Sequence, residues 1–542
     1  MNLLAEYPLL LLFVVASLGY LIGTFKIKGS SLGVAAVLFT GLAFGAMNPE
    51  FKIPEIIFQL GLSIFVYSIG LSSGPAFFDS YRKNGIRDFL FITSILVFTG
   101  VAAAALALLL DFSAATITGV YTGSTTNTAA LAGVIDYIGN TFPANESSDL
   151  LQDTVVGYTF SYPMGVLGGM IAIVIMERLL KIDYEKEAEQ LRKIYPVGNR
   201  LTSASIRITQ ENQDGKQLRD LFKEYSWNVT FGRLKQDGKV NLSEWSTVFN
   251  LGDEVMVVGA EDDIDEVVKV LGERVKNSSL AYDREQFDVS RIFVSNPAVA
   301  GKTLASLNIP ERYNALVTRI RRGDVDMLAT GSTVLELGDR IRFIARREDL
   351  KDLSAYFGDS YQESSKVNLF SFGLGIGLGL LLGSINFKFG PDFSFKLGYA
   401  GGPLIIGLLL GTLRRTGRIV WTLPFSANVT LQQMGLILLL SAIGVRSGNA
   451  FIQSLSSDGF VVFGISAVLS LLTAFITLFA GFKLLKIPFS LLMGMVANQP
   501  AILDFATSRS NNRLPQFGFA MMFPLALIFK IIIAQILFIV LA

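Results

Sequence analysis

Apolar stretches of membrane-spanning length recur along this chain in two sets, with a long polar block between them. The first set covers residues 4–24, 31–48, 55–73, 88–110 and 152–177; the second covers 368–385, 397–413, 430–446, 458–482 and 514–541. A helix rises about 1.5 Å per residue and needs roughly 20 apolar residues to cross a hydrocarbon core. Only 17% of the 542 residues are charged, and the mean hydropathy is +0.49. The pattern predicts a polytopic α-helical membrane protein with ten spans. Residues 1–24 show no basic n-region and no small-residue cleavage site, so they read as a retained first span. A net charge of +1 gives no electrostatic footing for nucleic acid. With no cysteine and no histidine, disulfides, Cys/His metal sites and Cys or His nucleophile–base chemistry are excluded, and no cofactor is expected.

Basic residues set the expected orientation, because cytoplasmic loops carry the excess of Lys and Arg. On one face fall Lys26, Lys28, Arg82, Lys83, Arg87, Arg178, Lys181, Lys366, Arg414, Arg415, Arg418, Lys483, Lys486, Arg509 and Arg513. The alternate loops hold only Lys52, Lys388 and Lys396. Fifteen against three places both termini outside and residues 183–365 in the cytoplasm. Parity then constrains 113–140. The 88–110 span ends outside and the 152–177 span must begin there, so 113–140 enters and leaves on one face as a re-entrant hairpin. Its centre, Gly123-Ser124-Thr125-Thr126-Asn127-Thr128, becomes the tip. Non-helical backbone at membrane depth persists only when buried in protein or facing a wet cavity.

The device recurs. "FQLGLSIFVYSIGLSSGPAFFDS" (58–80) superposes without gaps on "QQMGLILLLSAIGVRSGNAFIQS" (432–454), pairing Gly61 with Gly435, Gly70 with Gly444 and Gly74 with Gly448. "TGSTTNTAAL" (122–131) aligns with "MGMVANQPAI" (493–502), and "SYPMG" (161–165) with "MFPLA" (522–526). By the charge count the two halves have opposite orientation. The expected fold is an inverted repeat of five spans plus one re-entrant hairpin each, the architecture of secondary transporters. Between the repeats, "STVFNLGDEVMVVGAEDDIDEVVKVLG" (246–272) parallels "STVLELGDRIRFIARREDLKDLSAYFG" (332–358). This predicts two small α+β cytoplasmic lobes. The boundaries are 1–182, 200–285, 286–362 and 366–542.

The two tips carry the binding hypothesis. Freed N–H groups and half-helix N-termini suit an anion. Ser124, Thr125, Thr126, Asn127 and Thr128 add donors on one side; Asn498 and Gln499 do so on the other, where Pro500 breaks the helix. Small-residue helix packing is the alternative reading of the same residues. Lys530, in "FPLALIFKIIIAQ", is a mid-span ammonium and a candidate carboxylate partner, or else one arm of a structural ion pair. Its repeat counterpart is Gly169. Asp136 and Asp504 follow the tips and are candidates for coupling or gating; Arg446, near a span end, is another, unless it snorkels. Glu177 and Arg178 read as an interfacial pair. Arg319, Arg321 and Arg322 mark where a small regulatory ligand would meet the lobes, against the reading of a solvated strand edge.

"GSTTNTAALAG", "GMVANQPAI", "FPLALIFK" and "AGGPLIIGLLLGTLRRTG" (400–417) resemble the aspartate–alanine antiporter family of bacterial inner-membrane exchangers, over essentially the whole chain. Within the family the resemblance is greatest to succinate or dicarboxylate exporters. The insertion resembles a pair of TrkA-C type regulatory domains, through "GKTLASLNIP" (301–310) and "ALVTRIRRGDVDMLATGSTVLELGDRIRFIAR" (315–346). The resemblance implies exchange of a small anionic or zwitterionic substrate across the lipid bilayer by a homodimer. An ion channel or ion-coupled symporter gated by the TrkA-C-like domains is the alternative. A membrane enzyme is not supported by any acid–base constellation.

Overall fold

A computed structural model describes residues 2–25, 34, 36–191, 201–276, 278, 280, 287–323, 325–388, 394–455, 459–496, 500–512 and 514–542. The chain forms two compact units. One joins Met1–Leu191, Leu369–Leu413 and Val429–Ala542; the other joins Arg192–Asn368 to Arg414–Asn428.

The first unit is built from helices. Its first half runs α1 (Pro8–Thr24), α2 (Ala36–Met47), α3 (Glu55–Leu110), α4 (Ala114–Ser124), α5 (Thr128–Thr141), α6 (Ala144–Leu180) and α7 (Tyr184–Leu191). The second half runs α8 (Leu369–Ser384), α9 (Gly398–Leu413), α10 (Phe425–Leu455), α11 (Gly459–Lys483), α12 (Phe489–Val496), α13 (Pro500–Ser510) and α14 (Leu514–Leu541). Among the described residues, five stretches are long and apolar enough to cross a membrane: Glu55–Pro75, Leu90–Leu110, Asn145–Leu180, Phe425–Arg446 and Gly459–Lys483. Shorter apolar helices accompany them, among them α1, α8 and α9. Leu108, Leu109 and Phe460 point outward, each more than three-quarters exposed, which suits hydrocarbon and not water. This is a multi-pass membrane protein.

Small residues let its helices approach closely. Gly61 of α3 faces Gly435 of α10, and a Cβ on either would lie 2.8 or 2.7 Å from the other's carbonyl oxygen. Gly70 of α3 meets Gly407 of α9, while Gly444 of α10 meets Gly41 of α2. The hydroxyls of Thr99 (α3) and Thr473 (α11) lie 3.0 Å apart. Close backbone approach of this kind replaces the hydrophobic effect as the glue between helices in lipid.

One expectation is corrected. The sequence places a loop between the 55–73 and 88–110 spans; the structure has one helix, Glu55–Leu110, with Pro75 inside it. The intervening "DSYRKNGIRD" (79–88) is a weak helix former, but it holds no proline and one glycine, so nothing in it forbids a helix and polarity alone does not break one.

In the second unit, β1 (Thr202–Ile208), β2 (Val229–Gln236), β3 (Lys239–Leu242), β4 (Glu254–Gly259) and β5 (Gly272–Arg274) form a sheet of order β3-β2-β4-β1-β5. β6 (Phe287–Phe293), β7 (Leu316–Arg322), β8 (Val325–Leu328) and β9 (Arg340–Arg346) form another, of order β6-β9-β7-β8. Read from its other edge, the second repeats the first four strands of the first. Even the bulges correspond, between Phe231 and Leu234 in β2 and between Val317 and Arg319 in β7. Each sheet packs a helix against its apolar face, Glu261–Leu271 in one and Arg347–Phe357 in the other.

Arg322 is no solvated edge residue. Its guanidinium donates to both Asp339 carboxylate oxygens, at 2.8 and 2.7 Å, to Glu336 Oε1 at 2.7 Å and to the Val334 carbonyl at 2.8 Å. Burial pushes the Glu336 carboxyl above the usual range, and the Arg322 and Arg414 guanidinium groups only partly offset that. Arg319 donates to the Leu201 carbonyl and Arg321 to that of Gly323, so the arginine cluster is largely spent on the lobe itself.

Candidate functional site

The tip lies where α4 gives way to α5. α4 opens on Ser113, whose hydroxyl accepts from Thr116 N, and runs eleven residues. It ends as Asn127 N donates to the Thr122 carbonyl at 2.8 Å, across one residue more than a helical turn. Thr126 takes φ +48°, an uncommon backbone for a β-branched residue. Asn127 then caps α5: its Oδ1 accepts from Ala130 N at 2.9 Å. The amide oxygen is therefore committed to the fold.

The hydroxyls divide between local duty and the interior. Ser124 and Thr125 donate back to the Tyr121 carbonyl, at 3.2 and 2.8 Å. Thr128 lies 2.8 Å from the Tyr158 hydroxyl of α6. Thr126 Oγ1 is buried without a hydrogen-bond partner. Ser124, Thr125, Thr126 and Asn127 are all buried. α6 holds them through small residues. A Cβ on Gly123 would strike Ser161, and one on Gly165 would strike the Gly123 carbonyl and Thr126.

Lys530 of α14 reaches this break. It is 3% exposed, and its Nζ donates to the Thr125 carbonyl at 3.2 Å. A carbonyl released from helical bonding meets a cation in the protein interior. Beside it lies a narrow cavity of about 40 Å³, where one water needs roughly 10–15 Å³. Ser124, Thr125 and Lys530 line it, together with Ser470, Thr473 and Thr477 of α11; Gly169, the repeat counterpart of Lys530, lines it too. The α11 hydroxyls escaped the reading of the sequence. Their signal is the spacing 470, 473, 477 within an apolar span, one helical face.

At the second break, α12 ends at Val496 and Pro500 opens α13. Asn498 and Gln499 lie outside the described residues, as does the side chain of Asp504, which sits on α13. The packing around this break matches that of the first. Gly494 abuts Pro515 and Phe519 of α14, as Gly123 abuts Tyr158 of α6; Gly518 abuts Leu491, as Gly157 abuts Val120. Glu187 caps α12, accepting from Phe489 N at 2.8 Å and Ser490 N at 3.0 Å. Glu177 pairs with Arg509 of α13 through two 2.5 Å bonds, and not with its neighbour Arg178 as the sequence suggested. Chain proximity lost to a bidentate fork from another helix.

Asp136 stands apart from the tip. Its carboxylate accepts from Tyr399 N at 3.1 Å, at the start of α9. Arg446 lies on α10, exposed, in a different cleft from Lys530.

A helix break facing a buried cation and a polar cavity, within a bundle of apolar helices, is an arrangement that suits a membrane transporter. The chain belongs to the aspartate–alanine exchanger family of permeases: its "Predicted Permease Membrane Region" matches residues 11–178 and 371–539. A TrkA-C domain matches residues 289–358. The chain is 45% identical to an uncharacterized transporter of Geobacter sulfurreducens, over 99% of both chains. It is 41% identical to one of Symbiobacterium thermophilum, over 100% of both, and 38% identical to one of Corynebacterium diphtheriae, over 99% of both. The crystal structure of the GsuK RCK domain is similar over 31% of this chain and 65% of that one, at 11% identity and a TM-score of 0.16, too slight a likeness to define a fold.

Proposed function

We propose that the protein is a homodimeric antiporter of small carboxylates or amino acids, of the aspartate/alanine or succinate type. It works by alternating access, with one bundle moving against a scaffold. The observation that carries this is the buried Lys530 ammonium on the Thr125 carbonyl, beside a cavity lined with hydroxyls. A carboxylate entering there takes the ammonium as countercharge and the hydroxyls as donors. A loaded carrier then offsets a charge that an empty one must bury, which favours exchange over uniport.

The glycine contacts support an inverted repeat. Gly61 and Gly435, and Thr99 and Thr473, are equivalent positions in the two halves that touch each other. Gly70 with Gly407 is mirrored by Gly444 with Gly41. Self-contact of equivalent positions and reciprocal contact of the others are what a two-fold axis between repeats produces. The tips are then two re-entrant hairpins, one from each face of a bacterial inner membrane. With α3 a single helix, the count of crossings that put both termini outside loses its premise, while the excess of basic residues still favours the cytoplasm for the duplicated lobes, as regulators. The TrkA-C domain also favours a second reading, an ion channel gated by the lobes.

Counterflow in proteoliposomes tests both. Succinate, fumarate, aspartate, glutamate and alanine should be screened as trans substrates. Lys530→Ala should abolish saturable counterflow, and Lys530→Arg should leave it partial or altered in preference, because a guanidinium differs in reach and geometry. Full counterflow in Lys530→Ala makes the residue structural, and single-channel conductance favours the channel.

A further inference from the structure

Arg446 takes no part in the tip, yet it lines a larger opening. A cleft of about 500 Å³ in the first unit is bounded by the turn before α3, by α5 and α6, and by the end of α10. Its polar lining includes Lys52, Glu55, Gln152, Arg446 and Asn449. Lys52 and Arg446 are exposed, and neither meets a carboxylate within ion-pair distance among the described residues. Two cations against one carboxylate leave the lining net positive. The remaining walls are apolar, with Phe51, Phe58 and Leu151 among them. Low-dielectric walls focus such a field and raise the local concentration of counter-ions. Gln152 supplies a neutral donor.

The cleft shares helices with the tip. Ile135, in its lining, is seven residues along α5 from Thr128, or about 10 Å at the helical rise. Gln152 lies on α6, six residues before Tyr158, the partner of Thr128. We propose that this cleft is a second binding site, a low-affinity vestibule that gathers small carboxylate anions before they reach the tip. The carboxylate class rests on the reading of the Lys530 site given above; the preference for anions rests on the cleft alone.

The absence of cysteine makes the test direct. Asn449→Cys is introduced into the full chain in nanodiscs, where both faces are open. Its thiol is modified with an anionic methanethiosulfonate and with a cationic analogue. The anionic reagent should react faster, and Lys52→Gln with Arg446→Gln should shift the rate ratio toward the cation by about tenfold. Millimolar succinate should slow modification in the parent and not in the double variant. Lys52→Arg with Arg446→Lys, which keeps both charges, should restore protection. Protection should survive Lys530→Ala. The proposal is overturned by an unmoved rate ratio, by no protection in the parent, or by loss of protection in Lys530→Ala. Full transport by Lys530→Ala with protection intact sinks the tip reading and leaves this one standing.

Discussion

Thr126 is the residue at which the tip is strained. Its φ of +48° is a left-handed backbone that costs an L-residue other than glycine about 1–2 kcal/mol, and its buried hydroxyl has no partner to offset that. Thr126→Gly should therefore leave the thermal midpoint unchanged or raised, while weakening substrate binding if the hydroxyl serves the ligand. A lowered midpoint would show that the side chain holds the tip together. In the lobes, Glu336 offers a pH test. Burial raises its folded pKa above the unfolded value of about 4.3. Its contribution to stability is thus fully present below that pH and is lost as pH rises through the raised folded value. All three tryptophans, Trp227, Trp245 and Trp421, lie in the second unit, so their fluorescence follows its unfolding. Glu336→Gln should flatten the pH dependence of the denaturant midpoint above pH ~4.3. Asp339→Asn should cost about 1.5–3 kcal/mol, because it removes the charged half of a two-bond fork while Arg322 keeps Glu336 and the Val334 carbonyl. Equal, small losses in both variants would show that the ion knot carries no stability.

At the scale of elements, the break between α4 and α5 was legible because its residues advertise it. Hydroxyls and an asparagine within an apolar setting favour caps over helix interiors. The sequence offered Asn127 as a ligand donor; the structure spends its oxygen, an acceptor, on the cap. The cap and the donor role use different atoms of one amide, the oxygen and the NH2, so the cap orients the residue without excluding the ligand contact. The α11 hydroxyl face was visible but unremarked, because serine and threonine within a span usually bond back to their own helix, as Thr473 and Thr477 also do here. The long helix α3 is the element that sequence reasoning misjudged. Asn84→Pro removes an N–H and clashes within a helix, at about 3 kcal/mol or more. It should lower the thermal midpoint clearly if Glu55–Leu110 is one helix. An unchanged midpoint would restore the loop.

At the scale of the whole molecule, the orientation proposal stands or falls on where residues 141–149 lie. Ser147 is buried, so the exposed Asn145 is the better reporter. Asn145→Cys in intact cells should react with an impermeant maleimide from outside; labelling only after permeabilisation would reverse the topology. The sequence by itself determined the membrane class, the apolar stretches that become its helices, the polar tip and the doubling of the lobes. Those follow from transfer free energy, helix propensity and self-similarity, which are written along the chain. Only the tertiary structure decided which groups meet. It brought Lys530 to the Thr125 carbonyl across 405 residues, drew Arg509 and not Arg178 to Glu177, and tied Arg322 into its own lobe. It also placed Lys52 and Arg446 in the lining of one cleft. The reason is physical: burial selects partners by distance and geometry in three dimensions, and a buried charge or unbonded carbonyl takes whichever group packing brings within reach.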